Sequence, residues 1–181
     1  MNKISTQYFK TPFGDLIIGS FNDQLCLCDW RYRKMRSAID DRIRDGLESV
    51  YEEKETSVIA DVKNQLGEYF NGDRESFDIP LKIVGTTFQE SVWNELVKIP
   101  YGKTVTYLEL SRRLGDEKAI RAVASANGAN AISILVPCHR VIGSKGELTG
   151  YAGGLNTKRK LLQLESKNQN SEQLQLFNEI P

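Results

Sequence analysis

One histidine occurs in the 181 residues, and it directly follows a cysteine, in the run Ile134-Leu135-Val136-Pro137-Cys138-His139-Arg140-Val141-Ile142-Gly143. A thiol is mostly protonated at neutral pH and attacks as thiolate, and a nearby imidazole is the commonest means of taking or compensating that proton. Neighbours on an extended strand point to opposite faces, so adjacency alone does not make a working pair. Pro137 forbids helix just upstream and biases Val136 to an extended conformation. The run therefore predicts that Cys138 lies at the abrupt end of a buried strand, a place from which a thiol can face a cleft. Taken by itself, the pair is equally accounted for by chance adjacency in a buried structural segment.

The elements that must position this pair fall into two halves. Thr6–Phe9, Leu16–Phe21 and Leu25–Trp30 alternate as strands and are separated by turn formers, which predicts an antiparallel meander. Residues 31–55 are charged and weakly patterned and read either as a helix or as a loop. Ser57–Phe70 places Ile59, Val62, Leu66, Tyr69 and Phe70 on one helical face, stopped by Asn71-Gly72. Phe77–Ile83 reads as a strand leading into a linker. The second half holds a helix over Thr87–Ile99 and two short helices, Tyr107–Leu114 and Glu117–Asn127. A tight glycine turn joins the short pair, and the second is rich in small residues. That pattern fits a helix-turn-helix or an ordinary helical hairpin. A Gly-rich loop over 143–154 and a helix over Thr157–Glu165 follow, then a polar tail. The division read from this is 1–84, 85–166 and a tail over 167–181.

Composition sets the frame. Apolar content of 40% and charged content of 27% are those of an ordinary soluble domain. The first residues lack the apolar run of a signal peptide, no stretch reaches membrane-spanning length, and three cysteines form no framework. The chain reads as cytoplasmic, with no membrane partner. Net charge is zero, yet residues 98–160 hold eleven Lys and Arg against four Asp and Glu, while residues 1–97 hold twelve against seventeen. A basic segment around the Cys-His pair is compatible with a phosphate-binding face. Cys26 and Cys28 share one face of their expected strand. With no histidine in that half, they predict core thiols and no metal site.

Beyond these separate readings, Pro137–Gly143 resembles the active-site signature of the O6-alkylguanine-DNA alkyltransferases, also called methylated-DNA–protein-cysteine methyltransferases. The resemblance spans about residues 86–165 through Val92-Trp93, Ile99–Tyr107, Ala119–Val123, Asn130 and Gly150–Leu155. It implies an α/β (α+β) fold: an N-terminal antiparallel sheet with a helix, ribonuclease H-like, and a C-terminal helical, winged helix-turn-helix-like domain. It also implies a reaction without cofactor. The Cys138 thiolate attacks the alkyl carbon on O6 of guanine in double-stranded DNA, with O4-alkylthymine as a further substrate, and the chain is consumed.

Roles follow from the same resemblance. His139 takes the Cys138 proton through a water, and Glu165 orients the imidazole. Tyr107 donates to the purine and helps turn the nucleotide out of the stack. Arg121 fills the vacated space, with Ala122 and Ala126 allowing close approach to the DNA minor groove. Asn130 ties the helix-turn-helix to the active-site turn. The Val141 and Cys138 carbonyls and the Ala152 amide read the base, and Tyr151 packs on it. Without the resemblance, Glu165 reads as a solvated carboxylate, Tyr107 as core and Arg121 as a surface arginine. Ala152 and Ser133 depart from common family residues, a serine and a proline, so the pocket rim is expected to differ.

In the tail, Gln173, Leu174, Leu176 and Phe177 resemble the short peptide by which bacterial proteins bind the sliding clamp; an amphipathic last turn on the chain's own domain is the alternative. The expected species is a monomer. Two rival functions remain open on the sequence: a lesion sensor without alkyl transfer, which the acceptor Cys138 argues against, and a Cys-His hydrolase.

Overall fold

The computed structural model describes residues 2–167. Three strands, β1 (Asn2–Thr11), β2 (Gly14–Phe21) and β3 (Gln24–Trp30), form the antiparallel meander. Its tight turns fit their residues. The Thr11 hydroxyl donates to the Gly14 carbonyl at 2.6 Å, and Asn22 and Asp23 take the left-handed conformation that such side chains tolerate. The undecided stretch resolves into helix α1 (Arg36–Gly46) and strand β4 (Ser49–Glu53). Strand β4 pairs parallel to β1, so the sheet order is β3-β2-β1-β4 and the sheet is mixed rather than purely antiparallel.

Helix α2 (Ser57–Asn71) packs Val58, Ile59, Val62, Leu66 and Tyr69 on one face of the sheet, and α1 packs Ile39 and Ile43 on the other. A bulge opposite Gly19 and Ser20 shifts the β2–β3 register. It corrects the expectation that Cys26 and Cys28 share a face: Cys26 joins the cluster of Ile4, Leu27 and Ile39, whereas Cys28 joins that of Leu16, Ile18 and Trp30.

The expected strand over 77–83 reduces to a single bridge between Leu81 and Leu25. Its backbone caps part of the outer edge of β3, with the Leu25 amide donating to Pro80 and the Lys82 amide to Leu25, both at 2.8 Å. The rest of that edge is taken by the lead-in to the Cys-His pair. The Cys28 amide donates to Ala131 at 2.9 Å and the Ser133 amide donates back to Cys28 at 2.6 Å. An edge strand with unpaired amides is thus covered by the two segments that carry the site.

Helix α3 (Thr87–Val97) begins at a capping box between Thr86 and Gln89 and buries Val92, Trp93 and Leu96. Phe88, one turn before Val92 on the same helix, is 40% exposed. A two-residue strand, β5 (Val105–Thr106), runs straight into α4 (Tyr107–Arg113). The next helix splits into a 3₁₀ turn (Glu117–Ala119) and α5 (Ile120–Gly128), which packs on α3 through Trp93, whose indole donates to the Ala126 carbonyl at 2.8 Å. Strand β6 (Val141–Ile142) pairs parallel with β5, and α6 (Leu155–Ser166) closes the fold. Among the described residues no helix is long and apolar enough to cross a membrane.

Candidate active site

Residues 132–138 do not form the strand expected before Cys138. Ile134 takes a left-handed φ of 74° while buried. That conformation costs a β-branched residue of order 1–3 kcal/mol and persists only where its surroundings impose it. Here the Val136 amide bonds back to Ile132 at 2.9 Å and the Leu135 amide to Ser133 at 3.0 Å, closing a tight loop. Cys138 then opens a single 3₁₀ turn, Cys138–Arg140, that feeds β6. Because β6 pairs with β5, that turn and Tyr107 lie side by side.

Asn130 organises the turn. Its Oδ1 accepts from the Ile132 amide at 2.9 Å, and its Nδ2 donates to the Val136 carbonyl at 2.9 Å and to Cys138 Sγ at 3.2 Å. Cys138 is 3% exposed. Burial pushes its thiol up, against the Asn130 hydrogen bond, and so favours the protonated thiol over the thiolate.

The neighbouring imidazole is held by a carboxylate. His139 Nε2 lies 2.7 Å from Glu165 Oε1, both side chains fully buried. Glu165 also accepts from Tyr69 Oη at 2.7 Å, from Arg140 at 2.8 and 3.0 Å, and from the Gly102 amide at 3.3 Å. Burial works against the charged carboxyl, but His139 and Arg140 together hold it well below the usual carboxylate range. Burial also lowers the imidazole, opposed by Glu165. An ionised carboxylate only accepts, so Nε2 carries the hydrogen of a neutral imidazole and Nδ1 keeps its lone pair. Nδ1 is buried without a protein partner.

The thiol lies behind a cleft of about 1010 Å³. Tyr107 and Asn127 stand at its inner wall, and the Asn127 amide reaches both the Tyr107 hydroxyl and the Cys138 carbonyl at 3.4 Å. Burial raises the Tyr107 phenol, leaving it a hydrogen-bond donor. Tyr151 and Ala152 form another wall; the Trp30 indole donates to the Tyr151 hydroxyl at 3.0 Å, and Tyr151 meets the His139 ring edge-on. Val141 is buried and its carbonyl accepts from Lys158 Nζ at 2.6 Å.

On α5, Arg121 and Ala122 are exposed, and Arg121 lines the cleft. Ala126 departs from its expected place on the DNA face: it is 3% exposed and turned to the core under Trp93. Gln173, Leu174, Leu176 and Phe177 lie outside the described residues.

Several residues of the site escaped the sequence reading: Tyr69, Arg140, Asn127, Trp30 and Lys158. Lys158 donates to Val141 and, at 2.8 Å, to Thr149, with no exposure, and burial lowers it to about 8. A signal for it existed. Lys158 and Glu165 recur at i and i+7 on the stripe carrying Leu161 and Leu162, so two charges share an apolar helix face. Tyr69 looked like any other core residue of its helix.

Comparison with known proteins identifies the family and the fold. The family model of the 6-O-methylguanine DNA methyltransferase DNA binding domain matches residues 87–167, and that of the ribonuclease-like domain matches residues 4–83. A methylated-DNA–protein-cysteine methyltransferase of Methanosarcina barkeri is 54% identical over 159 residues, covering 88% of this chain and 95% of the relative. The constitutive enzyme of that name from Bacillus subtilis is 43% identical, covering 86% and 92%. The crystal structure of Mycobacterium tuberculosis O6-methylguanine methyltransferase superposes with a TM-score of 0.77 at 36% identity, over 96% of this chain and 99% of that one. Sequence, fold and the convergence on Cys138 lead to one assignment: the chain belongs to the methylated-DNA–protein-cysteine methyltransferase family.

Proposed function

We propose that the chain repairs O6-alkylguanine, and O4-alkylthymine, in double-stranded DNA by moving the alkyl group irreversibly onto Cys138. The observation that carries this reading is the buried Glu165–His139 pair behind Cys138, with the Nδ1 lone pair left over for the thiol proton. The Cys138 proton passes through a bridging water to Nδ1. The thiolate forms a bond to the alkyl carbon as the carbon–O6 bond breaks, and that electron pair leaves with the purine. Tyr107 donates to the departing ring, making it a better leaving group. The carbon–sulfur bond of the product thioether is stable to hydrolysis, so each molecule reacts once.

A base inside a duplex cannot present O6 to a buried thiol, so the nucleotide must swing out into the cleft. Arg121, exposed on α5 and lining the cleft, fills the gap, and Ala122 beside it permits close approach to the minor groove. Tyr151 packs on the extruded base, the Cys138 and Val141 carbonyls face its amino group, and the Ala152 amide faces O6. Support for DNA as partner comes from the matched DNA binding domain model and from a neighbour, the M. tuberculosis protein in complex with DNA, at TM-score 0.76 and 37% identity over 97% of this chain. The active species is a monomer that needs no cofactor, and Gln173–Phe177 adds a sliding-clamp contact. Deleting residues 172–181 and measuring clamp binding tests the last point; unchanged affinity contradicts it.

Incubation with duplex carrying O6-methylguanine, followed by peptide mass analysis, tests the main reading. The expected result is one added methyl on the peptide holding Cys138, absent in Cys138→Ala. Binding without mass change would identify a lesion sensor, and turnover of an ester substrate would identify a hydrolase.

A further inference from the structure

Four of the six residues from Arg31 to Arg36 are cations and none is acidic, inside a half of the chain with an acidic excess. They divide into two pairs. Arg33 and Arg36 turn inward onto the fully buried Asp29 carboxylate, at 2.8 and 2.9 Å. Arg33 also donates to the carbonyls of Gly128 at 2.6 Å and Asn130 at 3.0 Å. This loop is therefore fastened to the end of α5, the helix that carries Arg121.

Lys34 is exposed and Arg31 half-buried, and neither has a carboxylate partner among the described residues. The Arg31 guanidinium lies over the Tyr8 ring at 4.0 Å and the Tyr32 ring at 5.1 Å. Tyr32 is 77% exposed and Met35 73%. Met35 is held in the left-handed region, φ 62°, where it caps α1. An exposed aromatic and unpaired cations on a rigidly anchored loop form a surface that lacks its counterpart.

Its position indicates the counterpart. Residues 32–35 line the same cleft as Tyr107, Arg121 and the 149–155 loop. At about 1010 Å³ that cleft is more than a single base fills; pockets for far larger small molecules run to about 1,000 Å³. An extruded nucleotide lying against Tyr107 and Tyr151 leaves the 32–35 wall facing the strand it came from. Free cations beside a polyanion gain by releasing condensed counterions. Exposed tyrosine supplies a sequence-tolerant stacking face.

We propose that the Arg31–Met35 loop is a second DNA-contact surface, on the N-terminal half of the chain, with Arg31 and Lys34 on backbone phosphates flanking the extruded nucleotide and Tyr32 against its neighbour. This rests on duplex DNA being the partner and extends the interface beyond α5. Asp29, Arg33 and Arg36 hold the loop in register with Arg121, so the two surfaces meet one duplex together.

The test uses the full chain and an Arg31→Ala/Lys34→Ala variant, with Tyr32→Ala made separately. Affinity for a duplex is measured by fluorescence anisotropy across a salt series, and alkyl transfer is measured in parallel from the free base O6-benzylguanine. The double variant is expected to bind duplex several-fold to tenfold more weakly at low salt, with the slope of log affinity against log salt reduced by about 0.9 per lost phosphate contact. Tyr32→Ala is expected to weaken binding without changing the slope. Free-base transfer is expected to stay within about twofold, because these side chains lie away from Cys138. Unchanged duplex affinity and slope would overturn the proposal, as would a free-base defect matching the duplex defect, which would make the loop a support of the pocket. Failure of the parent chain to transfer from either substrate would instead defeat the proposed reaction, leaving the affinity series to judge the loop on its own.

Discussion

Glu165 accepts five hydrogen bonds while wholly buried, from His139, Tyr69, the Gly102 amide and two from Arg140, so the protein alone solvates its charge. Replacing one oxygen by an amide leaves the shape but removes the charge that fixes the imidazole tautomer and balances Arg140. Glu165→Gln is expected to slow single-turnover transfer about 10²–10⁴-fold and to lower stability by about 3 kcal/mol, the cost of an unpaired buried cation. Rapid-quench kinetics and urea unfolding check the two. Lys158 allows a test with a definite sign. Its folded value of about 8 lies below the ordinary lysine value of about 10.4. Between those limits the unfolded chain binds the extra proton, so this group makes stability rise with pH across that window, by at most about 3 kcal/mol. Below pH 8 both states carry the charge, and the burial cost stands in full. Subtracting the pH profile of Lys158→Met from that of the parent, by denaturant unfolding at pH 7.5 and 10, should show that rise. A flat or falling difference contradicts the assignment.

At the scale of elements, the Gly-rich loop over 143–154 is held by contact rather than by regular structure. A Cβ at Gly153 would stand 2.7 Å from Trp30 Cε2 and 2.8 Å from its Nε1. Trp30 is 4% exposed and has nowhere to go, so Gly153→Ala should push the loop outward. The expected cost is about 1–3 kcal/mol, with slower transfer from the shifted Tyr151 and Ala152; thermal unfolding and single-turnover rates measure both, and an unperturbed variant removes Trp30 as the back wall. The same scale shows what sequence could and could not reveal. Helices α2 and α3 were legible because their apolar spacing matches the helical period, and Asn71-Gly72 marks the end of α2. Residues 31–55 were opaque because some of their charges answer partners far along the chain: Arg33 the Gly128 and Asn130 carbonyls at 2.6 and 3.0 Å, and Arg42 the Ala129 carbonyl at 2.8 Å. Strand β4 is a short edge whose pairing with β1 has no local signal. The bulge that separates Cys26 from Cys28 and the left-handed Ile134 are backbone events imposed by packing, which alternation of residue types does not encode.

For the molecule as a whole, the candidate site is shared between halves that the sequence divides near residue 84. One apolar cluster runs from Leu16, Trp30 and Tyr69 through Trp93 and Leu110 to Cys138 and Leu161. Tyr69 reaches Glu165, Trp30 reaches Tyr151, and Cys28 holds residues 131–133 against the sheet. The Cys-His pair, its tyrosine and its arginine helix were readable from a collinear run of motifs; the N-terminal contribution was not, because it arrives through single side chains scattered over 28–69. What unites both halves is the claim that Cys138 is a reagent, used up as it reacts. The most direct test is stoichiometry: titrate the purified chain with excess duplex bearing a single O6-methylguanine and count guanines restored per protein molecule over hours. The expected count rises to one and stops, with every Cys138 methylated. A count that keeps climbing, or that plateaus at one with Cys138 unmodified, would contradict it.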